Sequence, residues 1–508
     1  PLETDLADEL RCAAAPGEFE SMAAVVYGLQ EVRGLRATVS ELRGAAGRIP
    51  ASAVDIRHLL WWYQGAGRNI SYSPQRELVA ELLVKDPALV RVDLAAKENY
   101  LRSTAAEGGT TYLPCSRPDS SMLAAVRPVD TKELQPVEVA AGAAREFWLT
   151  LQVPLGTPAG DYRGELVLTH ADGREVLPLT VKVHSLVLPA PRLTYSIYYR
   201  ATLTADGQPT ISSEGKSEQQ YAAELADLRD HGVLYPTNYL GHDGPGLVRA
   251  LELRREAGLP TERFYDLGAG IGDGTSPAAL AAIKAKVERL RARTAPFGYR
   301  DLYFYGFDEA TGDRLTSQKA AWRAVQEAGG KMFVAGYEGT FEAMGALLDT
   351  AVLAGAPNPK EAEKWHSVGS EAFCYANPQV GVEDPAVYRR NFGLVLRAAG
   401  FDGAMDYAYQ HGFTHVWNDF DNTHYRDHNF TYPTVDGVVG TIAWEGFREG
   451  VDDVRYATAL EQAIAAAPAG STLAREAQSW LDGLDTRLVD LDEARARMID
   501  WITRLRAR

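Results

Sequence analysis

Asp301-Leu-Tyr-Phe-Tyr-Gly-Phe-Asp-Glu-Ala310 is an aromatic run that ends on two neighbouring carboxylates. Its aromatic character predicts a strand over Leu302–Phe307. A helix pattern follows from Thr316 to Ala328, closed by Gly329-Gly330, and then a second strand, Lys331–Tyr337. Strand, helix and strand in that order form one parallel β/α unit. The same rhythm extends both ways. Upstream lie strand patterns at Leu193–Tyr199, Val233–Leu240 and Phe264–Ile271, with helices at Glu218–His231 (Gly232 as C-cap) and Ser276 to about Thr294. Downstream lie a helix at Thr340–Leu348 and strands at Ala351–Ala354, Ala372–Ala376 and Gly403–Tyr407. Eight candidate strands fit a closed (β/α)8 TIM-like barrel. A doubly wound sheet would want a glycine fingerprint after its first strand, and Tyr198-Tyr-Arg-Ala201 is not one. Gly268-Ala-Gly-Ile-Gly-Asp-Gly274 does not open directly into a helix, so it reads as a mobile loop at a strand end.

Before residue 190 the rhythm is different. Arg145–Pro154 and Tyr162–His170 alternate apolar with polar residues, and Val176–Val183 follows the turn Ala171-Asp-Gly173. Earlier strand patterns are Ser21–Tyr27, Leu35–Ser40 and Val54–Tyr63. Period-two runs between Gly, Pro and Asp turns predict an antiparallel β-sandwich. Pro189-Ala-Pro191 reads as a stiff linker. The end of the chain, Val454–Ala466 and Ser471–Arg508, is helical in pattern. The expected organisation is a β-sandwich over 1–190, a (β/α)8 barrel over 191–453 and C-terminal helices over 454–508.

The composition narrows the function. The chain has 508 residues, 46% hydrophobic and 24% charged, which is ordinary globular material with enough apolar residues for a large core. Lys and Arg total 52 against 68 Asp and Glu, a net charge of −16. An acidic surface repels phosphate backbones and anionic lipids, so neither nucleic acid nor membrane is expected as a partner. The three cysteines, Cys12, Cys115 and Cys374, form neither a disulfide framework nor a zinc pattern. The chain begins at Pro1, and the expected location is secreted, periplasmic or cell-surface after signal removal, with the cytoplasm left open.

Asp308 and Glu309 are the candidate chemistry. In a β/α barrel the strand C-termini form the mouth where reactions occur. Two acids there suit general acid–base work, because burial and repulsion separate their pKa values. Neighbours on a regular strand point to opposite sides, so both can serve one site only if the backbone bends after Gly306. Two carboxylates that flank a glycosidic bond stand about 5–9 Å apart. Adjacent ones suit a substrate that brings its own nucleophile instead. A 2-acetamido sugar does so: its carbonyl oxygen attacks C1 and forms an oxazolinium ion. Asp308 would accept the amide N–H, and Glu309 would protonate the leaving oxygen and later deprotonate water. The structural alternative has Asp308 capping the next helix with Glu309 in its first turn.

Tyr198, Tyr199, Tyr239, Tyr337, Tyr375, Tyr407, Tyr409, Trp417 and Trp444 cluster at expected strand ends or loops. Their rings match the C–H faces of sugars, while groups such as Arg200, Asn377 and Asp406 bind hydroxyls. Ordinary core packing is the competing explanation for any one ring. His411, His415, His424 and His428 with Asp419, Asp421 and Asp427 could ligate a metal, but no helical ligand pair is present and the run also reads as loop. No metal or cofactor is expected.

The order of several motifs resembles glycoside hydrolase family 123 and its relatives. These are Ala143–Pro154, Thr157-Pro-Ala-Gly-Asp-Tyr-Arg-Gly164, Leu179–His184, Gly306-Phe-Asp-Glu309, Tyr432-Pro-Thr-Val-Asp-Gly437 and Trp444–Asp453. The resemblance implies a β-sandwich joined to a (β/α)8 barrel. It further implies substrate-assisted β-N-acetylgalactosaminidase activity with Asp308 and Glu309 as the catalytic pair. The chain departs from the family at Gly403-Ala-Met-Asp-Tyr-Ala-Tyr-Gln410, where Asp406 replaces an apolar or aromatic residue, and in its longer 411–430 segment. A second expectation is therefore a glycosidase of other specificity that uses Glu309 as acid with Asp406 or Glu371 as nucleophile or base. A third is a glycan-binding protein without turnover. Arg448-Glu449-Gly450 is expected to dock the C-terminal helices.

Overall fold

The computed structural model describes residues 7–67, 73–105, 107–268 and 270–507. The strand Asp301–Tyr305 lies in an all-parallel sheet. Its order is Thr194–Ile197, Gly403–Asp406, Glu371–Tyr375, Thr350–Ala354, Lys331–Gly336, Asp301–Tyr305 and Arg263–Asp266. Val233–Leu240, expected as a strand, is irregular, and Pro236 removes one ladder donor within it. Its backbone nevertheless bonds both outer strands. Tyr235 and Thr237 N–H donate to the carbonyls of Tyr195 and Ile197 at 3.3 and 3.1 Å, and Asn238 N–H donates to Tyr265 at 2.8 Å. The sheet is thus curled and barrel-like, with both edges covered. Tyr265, Tyr303, Phe333 and Phe373 fill its interior, with Tyr265 4.6–6.1 Å from the other three ring centroids.

Helices flank these strands. Glu218–Asp230 starts with a full capping box at Ser217 and Gln220, and ends before Gly232 at φ 78°. The expected helix Thr316–Ala328 is two pieces, Gly312–Thr316 and Lys319–Glu327. The glycine-rich loop reading of 268–274 falls partly on Ala269, which lies outside the described residues.

Among the described residues the first part of the chain holds three sheets; two larger ones share a core, and a small one pairs Val90–Asp93, Glu98–Thr104 and Thr110–Pro114. Ala144–Gln152 buries Phe147, Leu149 and Leu151 in strict alternation, and each such side chain contributes about 1.5–3 kcal/mol of burial. They meet Leu35, Ala37, Leu166 and Val181 of the other sheet. One sheet crosses the expected boundary at 190. Thr431–Pro433 and Val438–Thr441 join it beside Ser73–Val84, with Gly440 opposite Leu83. A single helix, Ile442–Ala465, likewise runs through the expected boundary at 453. It is followed by Thr472–Asp482 and Leu491–Arg506. Pro189 and Arg192 lie against the long helix, through Arg455 (3.1 Å) and Thr458 (3.0 Å).

Arg495 ties the parts together. Its buried guanidinium pairs with Asp453 and Glu449 at 2.7 Å and with Glu20 of the N-terminal sheet at 3.3 Å. Glu449 thus takes the docking role expected of it. The three cysteines are free thiols. Among the described residues no helix is long and apolar enough to cross a membrane.

Candidate active site

Asp308 and Glu309 leave the C-terminal end of Asp301–Tyr305, at the rim expected to carry chemistry. Gly306 permits the exit. A Cβ there would lie 2.6 Å from the Trp322 ring, so only glycine lets the chain pass. Phe307 N–H is held by the Gln318 side chain at 2.7 Å, and Glu309 N–H by the Ala335 carbonyl at 3.1 Å. Glu309 itself has φ 49°, a left-handed conformation that costs a non-glycine residue about 1–2 kcal/mol. This is the bend that adjacency demanded. Asp308 caps no helix, because the next one begins at Gly312 behind Thr311.

The two acids face one cavity of about 330 Å3. Every strand position except Thr350–Ala354 contributes to its wall through the C-terminal end. Asp308 turns back to its own strand, where Tyr305 donates its hydroxyl to Oδ1 at 2.6 Å. That hydroxyl is fully committed: Ala335 N–H (3.2 Å) and the Tyr198 hydroxyl (2.8 Å) occupy its oxygen, so its proton has one direction to go. Glu309 reaches the other way, and Tyr337 donates to Oε2 at 2.5 Å and Tyr375 to Oε1. Asp308 is open to the cavity but walled by aromatic rings. Desolvation, with the Glu309 charge added, holds its carboxyl above the usual range, while the Tyr305 hydrogen bond opposes the shift. Among the described residues no cation forms an ion pair with either acid, and Arg314 acts on Asp308 only through its more distant charge.

Arg200 and Tyr239 line the opposite wall, with the guanidinium 5.4 Å from the ring centroid. Arg200 also pairs with Glu214 and donates to the Tyr407 hydroxyl at 3.1 Å. Gln379 and Leu267 also line the cavity.

Several expected contacts are corrected. Tyr199 alternates away from Tyr198 and bonds Glu224 at 2.8 Å, in the layer between sheet and helices. Tyr409 and Trp444 both donate to Asp227 at 2.9 Å, and Trp444 stacks on His231. Trp417 packs on Trp62 and Tyr432. All four are core residues. Asn377 is outside the cavity wall, and its carbonyl accepts from Asn391. Asp406 is fully buried beside the wall. Ala376 N–H holds one of its oxygens at 3.0 Å, and desolvation keeps its carboxyl well above the usual range. Glu371 begins its strand and forms a two-bond pair with Arg263 (2.6 and 2.7 Å) at the far rim. A five-residue strand separates the rims by about 13 Å, which excludes Glu371 as a partner for Glu309.

The histidine- and aspartate-rich segment is wired internally. Asp427 accepts from Phe413 N–H, Asp421 from His415 N–H, and His428 bonds the Val380 carbonyl. Among the described residues no group of three or more His, Cys, Asp or Glu is arranged to hold a metal. Tyr305 and Gln379 are site residues that the sequence reading did not nominate. For Tyr305 a signal existed: it is the last residue before the bend and shares its face of the strand with Tyr303.

The cavities of about 720 and 660 Å3 lie on the N-terminal sheet and at its seam with the last helix, away from the two acids.

The chain superposes over 98% of its length on 94% of a family 123 glycoside hydrolase from Clostridium perfringens, studied for glycolipid glycan hydrolysis, with a TM-score of 0.62 and 12% identity. The family 123 resemblance therefore holds at the level of the fold. Other glycosidases align less well. A Parabacteroides merdae β-glucuronidase gives a TM-score of 0.34 at 9% identity (80% of this chain, 53% of that one). An endo-β-1,4-mannanase from Thermotoga petrophila gives 0.31 at 12% identity (52% and 77%). No family model and no curated protein matches the sequence.

Proposed function

We propose that the protein is a retaining, exo-acting glycoside hydrolase for a terminal β-linked 2-acetamido sugar, an N-acetylgalactosaminidase or hexosaminidase with substrate-assisted catalysis. In this reading an N-terminal β-sandwich supports a catalytic (β/α)8 barrel. The observation that carries it is the left-handed bend at Glu309, which turns two adjacent carboxylates into one cavity where tyrosine hydroxyls hold them. Among the described cavity residues no third carboxylate is present to attack from the opposite face.

The acetamido carbonyl oxygen attacks C1 as the glycosidic C–O bond breaks. Glu309 gives its proton to the departing oxygen, and the sugar becomes an oxazolinium ion. Asp308 accepts the amide N–H through the oxygen that Tyr305 leaves free. Its charge opposes the positive charge developing on the ring. Water then adds to C1 on the face the leaving group vacated, giving its proton to Glu309, and the ring opens to the acetamide. Two displacements retain the anomeric configuration. Following the anomeric proton by NMR during turnover tests this: a first-formed β product is expected, and a first-formed α product contradicts the mechanism.

A further inference from the structure

From Tyr407, which lines the cavity, a line of rings in mutual contact runs on through the following loop. Tyr407 and His411 have centroids 5.3 Å apart, His411 and Phe413 4.4 Å, and Phe413 and Tyr425 4.9 Å with planes 19° apart. The line begins inside the cavity and ends at Tyr425, which is 42% exposed. Each ring is anchored through its backbone. His411 N–H donates to Asn429, Phe413 N–H to Asp427 and Tyr425 N–H to Asn422, at 2.9–3.0 Å. Gly412 N–H bonds Ser213, which joins this loop to the one carrying Glu214. The Tyr407 hydroxyl lies 2.8 Å from His411 Nδ1, and Arg200 already donates to its oxygen, so its proton goes to the imidazole. Burial and the Arg200 charge push His411 down to about 3, so the ring stays neutral at working pH. Tyr425, exposed and backed by the stacked Phe413, offers an uncharged ring that matches the C–H face of a further sugar at little ordering cost.

From this we infer that Phe413 and Tyr425 form a binding subsite for the leaving-group saccharide, so that the protein acts on the end of an oligosaccharide rather than on an isolated glycoside. The inference rests on the glycosidase reading and adds the acceptor side of the substrate.

The test compares a methyl 2-acetamido-β-galactoside with a trisaccharide that carries the same terminal sugar. Wild type is compared with Phe413→Ala, Tyr425→Ala and the double variant, after circular dichroism shows that each is folded. The double variant is expected to lose about tenfold or more in kcat/KM on the trisaccharide and far less on the methyl glycoside. Equal loss on both substrates, or none on either, overturns the subsite. If wild type hydrolyses neither, the glycosidase reading has failed. Calorimetric binding of the trisaccharide then decides the subsite alone: weaker binding by the double variant supports it, and unchanged or absent binding overturns it.

Discussion

The two rims of the parallel sheet treat their acids in opposite ways. At the N-terminal rim Glu371 is clamped by Arg263 through two charge-assisted hydrogen bonds, and Asp301 pairs with Lys331 at 2.9 Å. At the C-terminal rim the described partners of the Asp308 and Glu309 side chains are tyrosine hydroxyls, and one of the two acids sits in a costly backbone conformation. A cation beside a carboxylate stabilises its charge and removes it from proton traffic. Hydroxyl donors orient the group and leave it able to exchange a proton or a partner. The contrast separates acids that hold the sheet together from acids free to react.

The sharpest way to break this contrast is Glu309→Gln. Without the proton donor, kcat on an oligosaccharide with a poor leaving group should fall about 10^3-fold, and much less on an activated aryl glycoside. Undiminished turnover of the oligosaccharide removes Glu309 from the mechanism. Asp308→Asn comes next, with an expected loss of about 10^2-fold on every leaving group, because the anion that faces the developing charge is gone. A loss confined to poor leaving groups would give Asp308 the acid's role instead.

Tyr305→Phe should have a smaller effect, about tenfold in kcat with KM little changed, and should alter the pH profile. In the proposed mechanism Asp308 acts as an anion, so activity should fall as pH drops through its raised pKa. Tyr305 lowers that pKa, and its loss should move the acid limb of kcat to higher pH. An unmoved limb would leave Tyr305 a packing residue. The smallest expected effect on activity belongs to Glu371→Gln at the opposite rim. Turnover should stay near wild type while stability drops by about 1–2 kcal/mol in urea titration, because Arg263 loses its charged partner at a half-buried site. A catalytic defect there would erase the distinction between the rims.

Much of this was legible in the sequence, for a physical reason. Strand periodicity and the Gly-Gly and Gly stops marked the β/α units, and Asp308-Glu309 stood out because two acids at a strand end are costly unless used or well solvated. Orientation was harder to read. Tyr198 and Tyr199 look equivalent in a list of aromatics, but strand alternation sends one into the cavity and the other to Glu224. Trp417 and Trp444 are large rings near the mouth in sequence and core residues in space. The crossing of Thr431–Thr441 into the N-terminal sheet depends on pairing with residues some 350 positions earlier, which no local pattern encodes. The Val233–Leu240 strand failed where Pro236 broke its ladder. The left-handed turn at Glu309 was required by adjacency, yet its position could be found only in the backbone.

The measurement that bears most directly on the mechanism compares kcat/KM for 4-nitrophenyl 2-acetamido-2-deoxy-β-galactoside and 4-nitrophenyl β-galactoside. With the acetamido group as nucleophile, only the first should turn over. Comparable or faster hydrolysis of the plain galactoside would contradict it, since the sugar would then lack the atom that attacks.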